Sequence, residues 1–176
     1  MPPAEQSAPL TPPAPAVPPL TESVVIPRFI ATASTTGHGE AERLVRAAGL
    51  PGVLRDPETV RTPSANTYRL WGAVVARTGR ADAGLLAAAQ YHPGLLDLFD
   101  YLLRTAPTVG EGLARAADHV HLVSSNSLLT AQESGDEVGV AYEVRHGDDQ
   151  LRGVVAEFAL AVVTAQLRHA TGTMFS

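Results

Sequence analysis

The apolar residues of this chain leave the helical repeat once, near Ser127, and return to it near Leu151. That excursion limits the fold more than any other feature. From Val24 to about Val120, apolar side chains recur at spacings of three and four, the repeat of helices with one buried face. Val138, Val140, Tyr142 and Val144 then alternate with Glu137, Gly139, Ala141 and Glu143, which is the two-residue repeat of a half-buried strand. Leu151, Val154, Val155, Phe158 and Val162 mark a long amphipathic helix running to about His169. The expected fold class is α+β: a helix-rich domain with a small antiparallel sheet, supplied here by one β-hairpin.

Turn chemistry divides the chain further. Arg28 to Thr36 is a short helix ended by Gly37. Glu40 to Ala48 is a second, with acids in its first turn and Gly49 at its stop. Pro51 to Pro63 is a loop, and Thr62-Pro63 has the pattern of an N-cap and first helical position. The helix that follows carries Tyr68, Trp71, Val74 and Val75 and stops at Gly79. Ala83 to Gln90 is another helix, broken by Pro93-Gly94, and Leu95 to Leu103 carries the next apolar stripe. Thr108-Val109-Gly110-Glu111 is a capping box opening the helix of Leu113, Ala116, Ala117 and Val120. Ser127 to Glu133 pairs with the alternating strand through a Ser134-Gly135-Asp136 turn.

Nine of the 14 prolines fall at or before Pro27. Residues 1–23 therefore read as a disordered Pro/Ala-rich leader, and 24–176 as one domain. The absence of cysteine excludes disulfides, thiolate metal sites and cysteine nucleophiles. Net charge is −5, and Pro107–Gly147 is rich in acids, so no face of this chain is expected to bind DNA. No unbroken apolar run approaches about 18 residues and the first residues carry no positive charge, so neither a membrane span nor a secretory signal is expected. The expected location is the cytoplasm.

Few constellations suggest chemistry. His119 and His121 could share a metal on a strand, but on a helix end they should point apart, and Asp118 faces elsewhere. Gly37-His38-Gly39-Glu40 looks like a phosphate loop, yet no strand precedes it and Glu40 and Glu42 would repel a phosphate. Ser124, Ser125 and Ser127 around Asn126 lack a nucleophile elbow. Asp97 and Asp100 would share a solvated helix edge. Trp71, Phe99, Tyr101 and Phe158 are expected near the core, where any of them could line a ligand cavity. The expectation is no enzyme, no catalytic residue, no metal site and no cofactor; the ligand-binding residues are unknown at this level.

The order of these parts resembles one family. Leu95–Thr105, Thr108–His119, Ser124–Ser127 and Leu128–Val144 follow the pattern of the N-terminal sensory domain of AraC-type transcriptional regulators, in the arabinose-binding variant. Gly49-Leu50, Leu54, Asp56-Pro57 and Pro63 fit the same pattern upstream. Gly112 departs from it, standing where the family has alanine. The resemblance implies a bacterial ligand-sensing domain that also dimerises, takes a small-molecule effector, and controls transcription through a helix-turn-helix domain not present in this chain. On that reading 24–176 is a sensory domain incomplete at its C-terminus. The rival reading from the residues alone is a stand-alone protein-interaction module without a ligand.

Overall fold

The structure is a computed structural model, and it describes residues 18–56, 60–135 and 137–172. Among these are seven helices and two separate two-stranded antiparallel sheets, which establishes the α+β class. In chain order they are β1 (Thr21–Ser23), α1 (Val25–Ala33), α2 (His38–Ala47), β2 (Arg61–Pro63), α3 (Ser64–Thr78), α4 (Ala83–Ala88), α5 (Leu98–Arg104), α6 (Val109–Val123), β3 (Ser127–Ser134), β4 (Glu137–Val144) and α7 (Asp149–Thr171).

The expected hairpin is β3–β4, with Leu129 opposite Tyr142 and Ser127 opposite Val144. The expectation of a single hairpin needs correction, because β1 and β2 form a second ribbon with Glu22 opposite Thr62. Three-residue strands are too short to show a repeat. The leader boundary moves for the same reason: Thr21–Ser23, expected in a disordered segment, is strand, while residues 1–17 lie outside the described residues. Thr62 is not an N-cap either. It is buried in β2, and α3 begins after Pro63 without a side-chain cap.

The α7 helix organises the core. Its N-terminus is capped by Asp148, whose carboxylate accepts from the Gln150 and Leu151 amides at 3.0 and 3.3 Å. Val154, Val155, Phe158, Val162, Val163 and Leu167 line its buried face. That face packs on α3, α4, α5 and β4, while α6 lies between α5 and β3. By length and composition α7 could cross a membrane, although Arg152, Glu157, Gln166 and Arg168 interrupt its apolar runs. It is a helix that supplies the centre of a packed core. Phe158 sits between Phe29 and Trp71, with ring centroids 5.4 and 5.2 Å away in tilted and edge-on contacts.

Two helix crossings depend on glycine. A Cβ on Gly84 of α4 would run into the Val154 carbonyl of α7 and stand 3.1 Å from the Phe158 amide nitrogen. A Cβ on Gly112 of α6 would come within 3.2 Å of the Leu103 carbonyl of α5. Gly112 thus lets α5 and α6 approach closely. The capping box is half made: Thr108 accepts from the Glu111 amide at 3.1 Å, while the Glu111 carboxylate pairs with Arg115 at 3.4 Å.

Candidate functional site

A cavity lies between α3, α6, α7 and the two ribbons. Its volume is about 60 Å³. Carbon forms most of its wall. Trp71, Phe99 and Phe158 contribute aromatic surface, and Ile26, Leu96, Val120, Val155, Val162 and Val163 contribute aliphatic surface. Polar groups enter through Glu22, Thr67, Tyr68, Ser124 and Tyr142. A carbon-walled cavity with a few converging polar groups is the usual form of a small-molecule site.

Each polar group arrives for a local reason. β1 alternates faces, so Glu22 turns inward between Thr21 and Ser23 and is only 4% exposed. Thr67, Trp71 and Val74 follow helical spacing along the buried face of α3, with Tyr68 beside Thr67. Ser124 ends α6 and bridges to Glu22 across the backbone. Tyr142 comes from β4, where it opposes Leu129.

One oxygen of Glu22 is well served and the other is not. The Tyr142 hydroxyl donates to Ser127 Oγ at 2.6 Å, Ser127 donates to Ser124 Oγ at 3.1 Å, and Ser124 donates to Glu22 Oε1 at 3.3 Å. This relay ends on Oε1. Glu22 Oε2, Thr67 Oγ1 and the Tyr68 hydroxyl are buried and lack a hydrogen-bond partner of proper geometry. Such orphans are uncommon in native proteins and each costs free energy. Burial raises the Glu22 carboxyl to about 7, against smaller lowering effects of the Thr67 and Ser124 hydroxyls and the charge of Arg61. Burial also pushes the Tyr142 hydroxyl up to about 12, and raises that of Tyr68.

Tyr68 borders a second space as well. A surface groove of about 550 Å³ runs between Leu20, Pro63, Gly147 and Leu151, and Tyr68 lines both it and the inner cavity. Gly147, at φ 144°, lies flat against the Tyr68 ring, where a Cβ would collide. The Tyr68 ring is therefore the partition between groove and cavity.

The residues singled out in the sequence fare differently. Trp71, Phe99 and Phe158 are buried and line the cavity, but Tyr101 is exposed and corrects the expectation of a core position. Asp100 corrects the expectation of a solvated edge. It is buried and accepts from the Tyr91 hydroxyl at 2.9 Å, the Gly94 and Leu96 amides at 2.7 and 3.1 Å, and Gln166 Nε2. It ties the α4–α5 loop to α7. His119 and His121 do not point apart; their rings stack with centroids 6.1 Å apart. Their Nδ1 atoms face the Arg115 and Asp118 carbonyls, and no group of metal-binding residues forms among the described residues. Gly37–Glu40 opens α2, with Glu40 accepting from the Thr36 amide at 3.1 Å. Ser124 and Ser127 belong to the relay, while Asn126 pins the hairpin base by bonds to the His146 amide and carbonyl at 3.0 and 2.7 Å.

The residue that sequence reasoning missed is Glu22. Its only signal was a lone acid between the last proline pair and the apolar run Val24-Val25-Ile26.

Fold and cavity together describe a helix-rich α+β domain with a small carbon-walled cavity between its helices and ribbons. The family described as the arabinose-binding domain of AraC transcription regulators, N-terminal, matches residues 39–176, and the chain belongs to that family. It is a family of regulator sensory domains, not of enzymes. No curated protein matches the chain.

Proposed function

We propose that this chain is the effector-sensing domain of a bacterial, cytoplasmic AraC-type regulator, and that the effector enters the cavity at Glu22. Occupancy of the cavity is passed to a DNA-binding domain outside these residues, and the domain also dimerises. The observation that carries this reading is the combination of carbon walls with three buried oxygens lacking partners. Thr62, Ser64 and Gln166 also hold unpaired oxygens, but only those of Glu22, Thr67 and Tyr68 converge on a carbon-walled cavity. Membership of the sensory family supports the same role. The sensory unit begins at β1, because Glu22 and the Thr21–Ser125 contacts belong to the site. The α7 helix is read as its core and not as a membrane span, and the polar relay as a binding end without catalysis.

A cavity-filling variant tests this. Ala159 lines the cavity on α7, so Ala159→Leu should occupy the space while keeping an apolar core. Small molecules that raise the melting temperature of the 176-residue chain should lose that effect in Ala159→Leu. Compounds that stabilise both proteins equally would bind elsewhere and refute the reading.

A further inference from the structure

We infer that the cavity is built for a compact aliphatic primary amine, with its ammonium on Glu22 Oε2, Thr67 Oγ1 and the Tyr68 hydroxyl. This rests on the effector-site reading and adds the chemical class. Three observations lead to it.

First, of the six unpartnered buried oxygens among the described residues, three border this cavity: a carboxylate oxygen of Glu22 and the hydroxyls of Thr67 and Tyr68, with the Thr67 hydroxyl near enough to Glu22 to lower its carboxyl. An ammonium group carries three donors and no acceptor, so one head group can serve all three. Secondly, Glu22 is buried in strand β1 with no ion-pair partner among the described residues. Arg61, whose charge acts on it, spends its guanidinium on Thr21 and on the Leu122 and His121 carbonyls. A buried carboxyl without a counter-charge is costly, and a cationic ligand removes that cost. Burial raises the Glu22 carboxyl, and the smaller pull of Arg61 does not offset it. Thirdly, the Ser124 and Tyr142 hydroxyls are engaged in the relay and the remaining wall is carbon. It offers nothing to the hydroxyls that a pentose carries on nearly every carbon, each of which would lose its water without compensation. A branched alkyl body meets Trp71, Phe99 and Phe158 instead. At about 60 Å³ the space has room for a small organic molecule and not merely for a single water.

Trp71 is the sole tryptophan and lines the cavity, so its fluorescence reports occupancy. Isobutylamine, isobutanol and L-arabinose would be titrated into the full chain. Isobutylamine should give a saturable change in Trp71 emission on the order of millimolar concentrations. It should bind roughly tenfold or more tightly than isobutanol, its neutral counterpart of the same shape. Glu22→Gln should remove that preference by weakening the amine and sparing the alcohol. Thr67→Val, which keeps the shape of α3 and loses one acceptor, should weaken the amine several-fold; it provides the test if Glu22→Gln fails to fold.

Equal binding of amine and alcohol, or an amine preference that survives Glu22→Gln, overturns the amine assignment and leaves the effector site standing. Arabinose binding that Ala159→Leu abolishes does the same. If none of the three changes Trp71 emission, the amine assignment is overturned, and the effector-site reading then stands or falls on the Ala159→Leu comparison with other compounds.

Discussion

Glu22 makes stability depend on pH in an unusual direction for a carboxylic acid. In the folded chain its carboxyl is raised to about 7 from an ordinary 4.5, mainly by burial. Between those values the folded state holds a proton that the unfolded state has released. Raising the pH therefore lowers stability across that window, from no effect below about 4.5 to a full loss above about 7. The loss should be roughly 3 kcal/mol. Urea unfolding from pH 4.5 to 8 should show this decline in the native chain and little of it in Glu22→Gln; parallel profiles would mean that Glu22 is solvated. Asp100 is buried among donors: the Tyr91 hydroxyl, the Gly94 and Leu96 amides and Gln166 Nε2. Asp100→Ala strands those donors in the core and should cost on the order of 3–5 kcal/mol in chemical unfolding. Asp100→Asn should cost clearly less, because one acceptor oxygen remains. Neither residue was legible as it stands. Composition and spacing describe Asp97 and Asp100 as a hydrophilic pair, and only the tertiary path of the 91–97 loop turns one of them inward. Glu22 needed a strand partner more than 35 residues away in sequence, Thr62, to become buried.

At the scale of elements the sequence was more informative, because repeat and punctuation are local. The helices fall within a few residues of their expected spans, and the hairpin forms where the repeat shortens to two. What remained hidden was packing: which helix crosses which, and how closely. Gly84 and Gly153 separate these effects. Both lie in helices, where alanine is intrinsically better than glycine by about 1 kcal/mol. At Gly153 a Cβ meets nothing within 4 Å, so Gly153→Ala should stabilise by about 0.5–1 kcal/mol. At Gly84 it meets the backbone of α7, which cannot turn aside as a side chain could. Gly84→Ala should therefore destabilise by a net amount of about 1–3 kcal/mol despite its better propensity. Thermal unfolding of the two variants checks the pair. A stabilising Gly84→Ala would mean that α4 and α7 are not in close contact.

At the scale of the whole molecule, the described N-terminal residues act as a seam. β1 pairs with β2 on one side, and on the other reaches the link between α6 and β3. The Ser125 amide donates to the Thr21 carbonyl at 2.9 Å, the Thr21 amide donates to Ser125 Oγ at 2.8 Å, and Ser64 donates to the Leu20 carbonyl at 3.0 Å. Arg61 adds two bonds to Thr21 and reaches the end of α6 through the Leu122 carbonyl at 2.7 Å. The three residues of β1 thus join the α1–α3 half of the chain to the half containing α6, the hairpin and α7. They also carry the only carboxylate that lines the cavity among the described residues. Two truncations should then behave very differently. A chain starting at Pro18 keeps every one of these bonds and should melt within a degree or two of the full chain. A chain starting at Val24 loses the β1–β2 ribbon, exposes the buried face of Thr62, and leaves Ser124 without Glu22. Each buried donor or acceptor left unpaired costs about 1–3 kcal/mol, so the loss should be a large part of the 5–15 kcal/mol that holds a domain of this kind together. Calorimetry on the two chains measures the difference, and equal melting temperatures would show that β1 is an ornament of the fold and that the cavity closes without it.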